Sequence, residues 1–316
     1  MGQFPPLLLI RMRRVFNFSN FNKKCSAFPP FLQAIFFVNG TIRQIRKKFE
    51  PFVNIFWRKY VTITDELTLS WRMVMATATG TMRDCKLYSG ELQEEIELLV
   101  YLPSNFSPLY KYSLLIAQDG KDYFMYGKMK TVIETLMAEG TIDRTIVVGI
   151  PYRNVNDRYE KYHPEGRKHE AYLRFLAHEL VPFLDRELPT YQMGKGRALI
   201  GDSLGGTVSL LAGLLYPHTF GKIAMQSPYI DDSVLARIRS FRDPSLLSLY
   251  HSVGTEETAV KTTDGHVRDF ITPNRMARDL FMEKRFAYTY HEFEGGHAWT
   301  YWQPDVPRAV AAVLSL

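Results

Sequence analysis

Residues 197–206 read Arg197-Ala198-Leu199-Ile200-Gly201-Asp202-Ser203-Leu204-Gly205-Gly206, an apolar strand end running into a Gly-x-Ser-x-Gly pentapeptide. This is the pattern of a nucleophile elbow, a sharp strand-to-helix turn that lifts one serine hydroxyl into solvent reach and tolerates only small neighbours. After it, Thr207 to Leu215 carries apolar residues at helical spacing, so strand, turn and helix follow in the order the motif requires. The competing reading is a glycine-rich loop that lets a helix pack closely on a sheet. The flanks favour the elbow and make Ser203 the first candidate nucleophile.

Outward from this stretch, apolar runs alternate between strand and helix periods. Arg83 to Tyr88 and Glu95 to Leu102 read as an opening antiparallel pair, and Tyr112 to Ala117 as the first central strand. Lys128 to Ala138 reads helical, Thr145 to Ile150 as a β-branched strand buried on both faces, and Glu170 to Leu188 as one long helix. Beyond the elbow, strands are expected at Phe220 to Met225, Leu246 to Val253 and Phe286 to Phe293. Helices are expected at Asp232 to Ser240, Asn274 to Lys284 and from about Pro307 onward. Strands alternating with helices through short loops predict an α/β fold, a mostly parallel sheet covered on both faces. Ligands of such sheets bind at the carboxyl ends of the strands, so residues there gain weight.

A serine hydroxyl needs a base within hydrogen-bond reach, and the base needs an orienting acid. His297 lies just past the last expected strand, behind Gly295 and Gly296, where a tight loop can aim an imidazole back over the sheet. The other histidines offer no such setting. His163, His169 and His178 fall in or beside helical sequence, His251 and His291 within strands, and His218 and His266 in connections. The acid belongs after the strand ending at Val253, where Glu256 and Glu257 stand together; Glu257 is preferred, with Glu256 and Asp264 as alternates. Donors for an oxyanion are expected from the backbone of Leu204 and from the Asp119-Gly120 turn after the first central strand. Which N–H of that turn points inward stays open.

The chain has 316 residues, enough for one α/β domain of about 240 residues plus an extension. Its charge is unevenly spread. Residues 1–72 hold 12 Lys and Arg against 3 Asp and Glu, whereas residues 73–316 hold 27 against 30. The basic balance therefore belongs to the first segment, and the remainder gives no support to nucleic-acid binding. That segment also holds 11 of the 21 phenylalanines and is read as a basic, aromatic extension distinct from an α/β domain spanning 73–316. Three origins are open for it: an over-extended reading frame, a membrane or partner attachment, or an added subdomain. Cys25 and Cys85 lack metal or redox spacing, so a reducing, cytoplasmic setting is expected.

Leu114 to Gly120, Val147-Val148-Gly149-Ile150-Pro151-Tyr152, Asp157-Arg158, Phe175 to Pro182, the elbow and Gly295-Gly296-His297 together resemble one family. It groups esterase D, enterochelin esterases, feruloyl esterases and mycolyltransferases on the α/β-hydrolase fold, and the likeness covers roughly Met82 to Leu316. The resemblance implies a serine ester hydrolase acting through an acyl-enzyme, without metal or organic cofactor, on a small-molecule ester. It is closest to the siderophore-esterase branch, which implies a trilactone or a small acyl ester as substrate. Arg153 and Arg158 are then candidates for holding an anionic substrate, with salt bridges to Asp157, Glu160 or Glu165 as the alternative. Tyr152, with Tyr159 and Tyr162, is a candidate wall for an aromatic acyl group. The rival expectations are an acyltransferase on the same fold and a binding protein without catalysis; the sequence leaves the oligomeric state open.

Overall fold

The computed structural model describes residues 80–263 and 265–315. The basic extension read at 1–72 and the alternate acid Asp264 lie outside the described residues. The order is β1 (Thr81–Ser89), β2 (Glu94–Leu102), β3 (Ser113–Gln118), α1 (Gly120–Met125), α2 (Met129–Ala138), β4 (Thr145–Ile150) and α3 (Val155–Tyr162). Then come α4 (His169–Arg174), a π-helical turn (Phe175–Leu180), α5 (Val181–Glu187), β5 (Arg197–Asp202), α6 (Leu204–Leu215), β6 (Lys222–Gln226) and α7 (Asp232–Ser240). The chain continues through β7 (Ser248–Gly254), β8 (Val260–Lys261), β9 (Val267–Arg268), α8 (Ile271–Glu283), β10 (Ala287–Phe293) and α9 (Trp299–Leu314).

Eight strands form one sheet in the order β1-β2-β4-β3-β5-β6-β7-β10. From β4 to β10 every pairing is parallel, while β2 runs antiparallel to both β1 and β4. The central strands are buried along nearly their whole length because helices cover both faces, which is why their sequences are continuous apolar runs. Side chains alternate across the sheet. Leu114 and Ile116 of β3 join a core layer with α4, α6, α7 and α8, whereas Leu115 and Ala117 join the opposite layer with α1, α2 and α9.

This is the mostly parallel sheet that the alternation predicts, of the α/β-hydrolase type that the resemblance implies, and the main differences lie in the helices. The single helix expected from Glu170 to Leu188 is broken by the π-helical turn ahead of Pro182. Proline has no N–H to donate and its ring crowds the carbonyl four residues back; the wider turn accommodates both. The last helix starts at Trp299 rather than near Pro307, with Pro304 and Pro307 inside it. Burial of Trp302, Val306, Ala309, Val310 and Val313 on one stripe offsets the lost backbone bonds. Helix α3 is too polar for a periodicity argument; it is held by Asn154, whose side chain accepts the Asp157 N–H. Among the described residues no helix is long and apolar enough to cross a membrane.

Candidate active site

Ser203 sits between β5 and α6 with φ 52° and ψ −125°, a left-handed backbone that serine rarely adopts. Its N–H is held by the Gln226 carbonyl at 2.9 Å. A Cβ at Gly201 would lie 2.2 Å from the Gly205 carbonyl carbon, so the sharpness of the turn requires glycine there. The turn is therefore sharp, and its backbone is strained at Ser203.

His297 follows β10 and faces Ser203. Its Nε2 lies 2.9 Å from Ser203 Oγ and its Nδ1 lies 2.6 Å from Glu257 Oε2. A carboxylate accepts at Nδ1, so the neutral ring carries its proton there and leaves the Nε2 lone pair to accept from the serine hydroxyl. The ring is flanked by Phe270, with centroids 4.4 Å apart, and by Trp302, edge-on at 4.8 Å. Glu257 lies in the turn after β7 and is fully buried. Its Oε1 accepts the Ser227 hydroxyl at 2.5 Å and the Gly254 N–H at 2.8 Å. Its backbone carbonyl accepts the N–H groups of Phe270 and Ile271, which ties the turn to the start of α8. Glu256 is exposed; its backbone N–H meets the Gly295 carbonyl. Of the two adjacent glutamates, the structure brings only Glu257 to the histidine.

Leu204 and Gly120 are the first residues of α6 and α1, so their N–H groups have no acceptor within their own helices. The Asp119 N–H faces the Tyr162 hydroxyl at 3.4 Å. A Cβ on Gly205 would stand 3.0 Å from Asp119 Oδ2, so the turn after β3 lies against the first turn of α6.

Arg158 comes from α3 and grips that turn. Its Nε lies 3.0 Å from both Asp119 carboxylate oxygens, its Nη2 lies 2.6 Å from Oδ2, and Nη2 also donates to the Asp202 carbonyl at 3.1 Å. Its partners are thus Asp119 and Asp202, not the Asp157, Glu160 or Glu165 that sequence proximity suggested. Burial, followed by the Asp119 charge, pushes the Asp202 carboxyl well above the usual range, with Arg158 opposing. Arg158→Met would leave the buried Asp119 carboxylate without its cation and the Asp202 carbonyl without that donor, and we expect a loss of about 3–5 kcal/mol in urea unfolding. Arg158→Lys should recover only part of it, because an ammonium cannot make the forked contact.

A cleft of about 90 Å³ opens over Ser203 and His297. Its wall includes Arg158, Tyr159, His163, Tyr229, Arg268 and Phe270. Arg153 instead pairs with Glu94 at 2.5 Å and lines a separate cavity of about 440 Å³ that does not include Ser203. The Tyr152 hydroxyl donates to Asp122 at 3.2 Å, and Tyr152 and Tyr162 lie outside the cleft wall. Sequence reasoning missed Tyr229 and Phe270, which stand in connections after β6 and before α8. It also passed over His163, which stacks on Tyr159 at 4.5 Å. The strand-end rule that selected His297 would have pointed to Ser227 and Tyr229 had β6 been read as ending at Gln226.

The chain, with a mostly parallel eight-stranded sheet covered by helices on both faces and a serine at a sharp strand-to-helix turn facing a histidine, has the α/β-hydrolase fold. Residues 89–313 match the family described as "Putative esterase", and the chain belongs to it: its activity class is carboxylic-ester hydrolysis. It is 53% identical over 240 residues, 76% of this chain and all of the relative, to the Bacillus subtilis (strain 168) protein described as Uncharacterized protein YjcH. Among solved structures, a ferulic acid esterase superposes with TM-score 0.64 at 17% identity, over 75% of this chain and 98% of that one. The enterochelin esterase of Shigella flexneri superposes with TM-score 0.63 at 15% identity, over 73% of this chain and 57% of that one. Both likenesses are of fold.

Proposed function

We propose that the protein hydrolyses a small-molecule ester through a Ser203–His297–Glu257 triad and an acyl-enzyme. The observation that carries this reading is the unbroken chain from Ser203 Oγ to Nε2 at 2.9 Å and from Nδ1 to Glu257 at 2.6 Å. Ser203 Oγ attacks the ester carbonyl carbon while His297 takes its proton at Nε2. The tetrahedral oxyanion is received by the Leu204 N–H and by the turn at Asp119 and Gly120. His297 returns the proton to the departing alkoxide, leaving the acyl group on Ser203. Water, deprotonated by the same nitrogen, then attacks the acyl carbon; the Oγ–acyl bond breaks, His297 returns the proton to Ser203 Oγ, and the acid is released. Glu257 holds the ring in the productive tautomer and faces the imidazolium as it forms.

The substrate proposed is a trilactone siderophore or a small acyl ester. The cleft supports an aromatic or anionic acyl group, because Tyr159, Tyr229 and Phe270 stand beside the cations Arg158, Lys261 and Arg268. Arg158 faces this cleft although it is bound to Asp119; Arg153 is placed to reach a substrate only if that substrate extends to the neighbouring cavity.

The reading is tested by acid-quenching turnover of an activated acyl ester and weighing the intact protein. The expected result is a burst of alcohol equal to the enzyme present, and an acyl mass located on the Ser203 peptide. A serine-directed phosphonate should label the same peptide. Turnover with the label absent or on another residue would overturn it. A hydrolysis panel of short-chain, feruloyl and ferric trilactone esters then ranks the substrates.

A further inference from the structure

We propose that Ser227 and Trp302 are positioning residues that set the hydrogen bonding of Glu257 on the side away from His297. The inference rests on the triad reading above and concerns what fixes its acid. The two carboxylate oxygens have different surroundings: Oε2 meets His297, and Oε1 accepts from Ser227 and Gly254. The Gly254 donor is a backbone N–H with a fixed direction. The serine hydroxyl is a rotor with one proton and two lone pairs, so something must decide where its proton points.

Trp302 decides it. Its indole Nε1 lies 2.9 Å from Ser227 Oγ, and an indole N–H only donates. Ser227 Oγ therefore accepts from Trp302, and its single proton is directed to Glu257. The backbone supports this arrangement at a cost: Ser227 has φ 45°, in the region that favours glycine, and is pinned there by its N–H to the Ser252 carbonyl at 2.7 Å. A glycine would fit that backbone without strain but would carry no hydroxyl.

Trp302 is in turn placed by helix α9, which is locked to the sheet one turn further on. Buried Asp305 accepts the Gln226 amide at 2.9 Å, the Ser252 hydroxyl at 2.8 Å and the Tyr250 hydroxyl. Gln226 also donates to the Trp302 carbonyl at 3.0 Å. The competing explanation is that Ser227 and Trp302 merely satisfy each other as buried polar groups. The two explanations part at the carboxylate. A carboxylate stripped of one donor attracts protons more strongly, on itself or on the ring beside it, so both routes move the acid side of the rate profile upward in pH.

The test compares Ser227→Ala, Trp302→Phe and the double variant in hydrolysis of p-nitrophenyl acetate across pH, with fold checked by circular dichroism. Ser227→Ala is expected to lose about 10- to 100-fold in kcat with little change in KM. The acid limb of its kcat/KM profile should rise by roughly one pH unit. Trp302→Phe, which keeps an aromatic ring beside His297, should shift the limb in the same direction by less, and the double variant should be no worse than Ser227→Ala, because the indole N–H acts on Glu257 through Ser227. An unshifted limb in folded Ser227→Ala, or losses that multiply in the double variant, would overturn the inference. If Ser227→Ala does not fold, Trp302→Phe decides alone, and an unshifted limb there overturns it. Ser203→Ala runs in parallel: retained activity there sinks the triad reading itself, a result distinct from an unaltered Ser227→Ala.

Discussion

Ser203→Ala is expected to lose about four to six orders of magnitude in kcat while leaving the fold intact. The size follows from what the hydroxyl does in the proposed cycle. Without it no acyl-enzyme forms, and the residual rate is that of water attacking an ester held by the oxyanion donors alone. The remaining groups compensate little, because His297 is placed to take the Ser203 proton and to activate water against the acyl-enzyme, which no longer forms. Alanine keeps the Cβ and removes an oxygen from a half-buried position, so the strained backbone at φ 52° is no worse served than before. Steady-state hydrolysis of an activated ester, with thermal unfolding as the control, measures both halves. Activity within tenfold of the parent would exclude Ser203 as the nucleophile.

Glu257→Gln is expected to lower kcat by about four orders of magnitude, whereas Glu256→Gln should stay within about twofold. The contrast between neighbours is the content of the prediction. Glu257 is buried with its Oε2 against His297 Nδ1; Glu256 is exposed and contributes a backbone N–H that glutamine retains. Glutamine at 257 is nearly isosteric but presents a neutral amide, and the amide dipole has to choose. With its oxygen toward Ser227 and Gly254, its nitrogen faces His297 Nδ1 and enforces the wrong tautomer. With the oxygen toward His297, the amide nitrogen faces the Gly254 donor and leaves a buried clash of donors. Single-turnover acylation rates for the two variants check this directly. Equal losses at both positions would break the assignment of the acid.

The sheet and the pair Ser203 and His297 were legible in the sequence because each is fixed by local rules. Continuous β-branched runs such as Thr145–Ile150 mark a strand with no solvent face, and glycines mark the turns beside Ser203 and His297. The choice between Glu256 and Glu257 was not legible to better than a preference, since one residue of turn geometry exchanges buried for exposed. Arg158 illustrates a different limit. Nearby sequence offered Asp157, Glu160 and Glu165 as partners, but its contacts are with Asp119 and Asp202, 39 and 44 positions away. Packing of α3 across the strand ends makes those pairings, and α3 itself is too polar to announce its position. The same holds for Ser227 and Trp302, which are 75 residues apart and meet because α9 packs against β6 and β7.

Those separations have a kinetic consequence. Ser203 and His297 lie 94 positions apart, and His297 and Glu257 lie 40 apart, so every link in the proposed site closes a long loop. Loop closure of this length is slow relative to helix formation and depends on the parallel strands having already paired. Catalytic activity is then a late signal in refolding, gained only when α9 has docked and well after the backbone has regained its helical content.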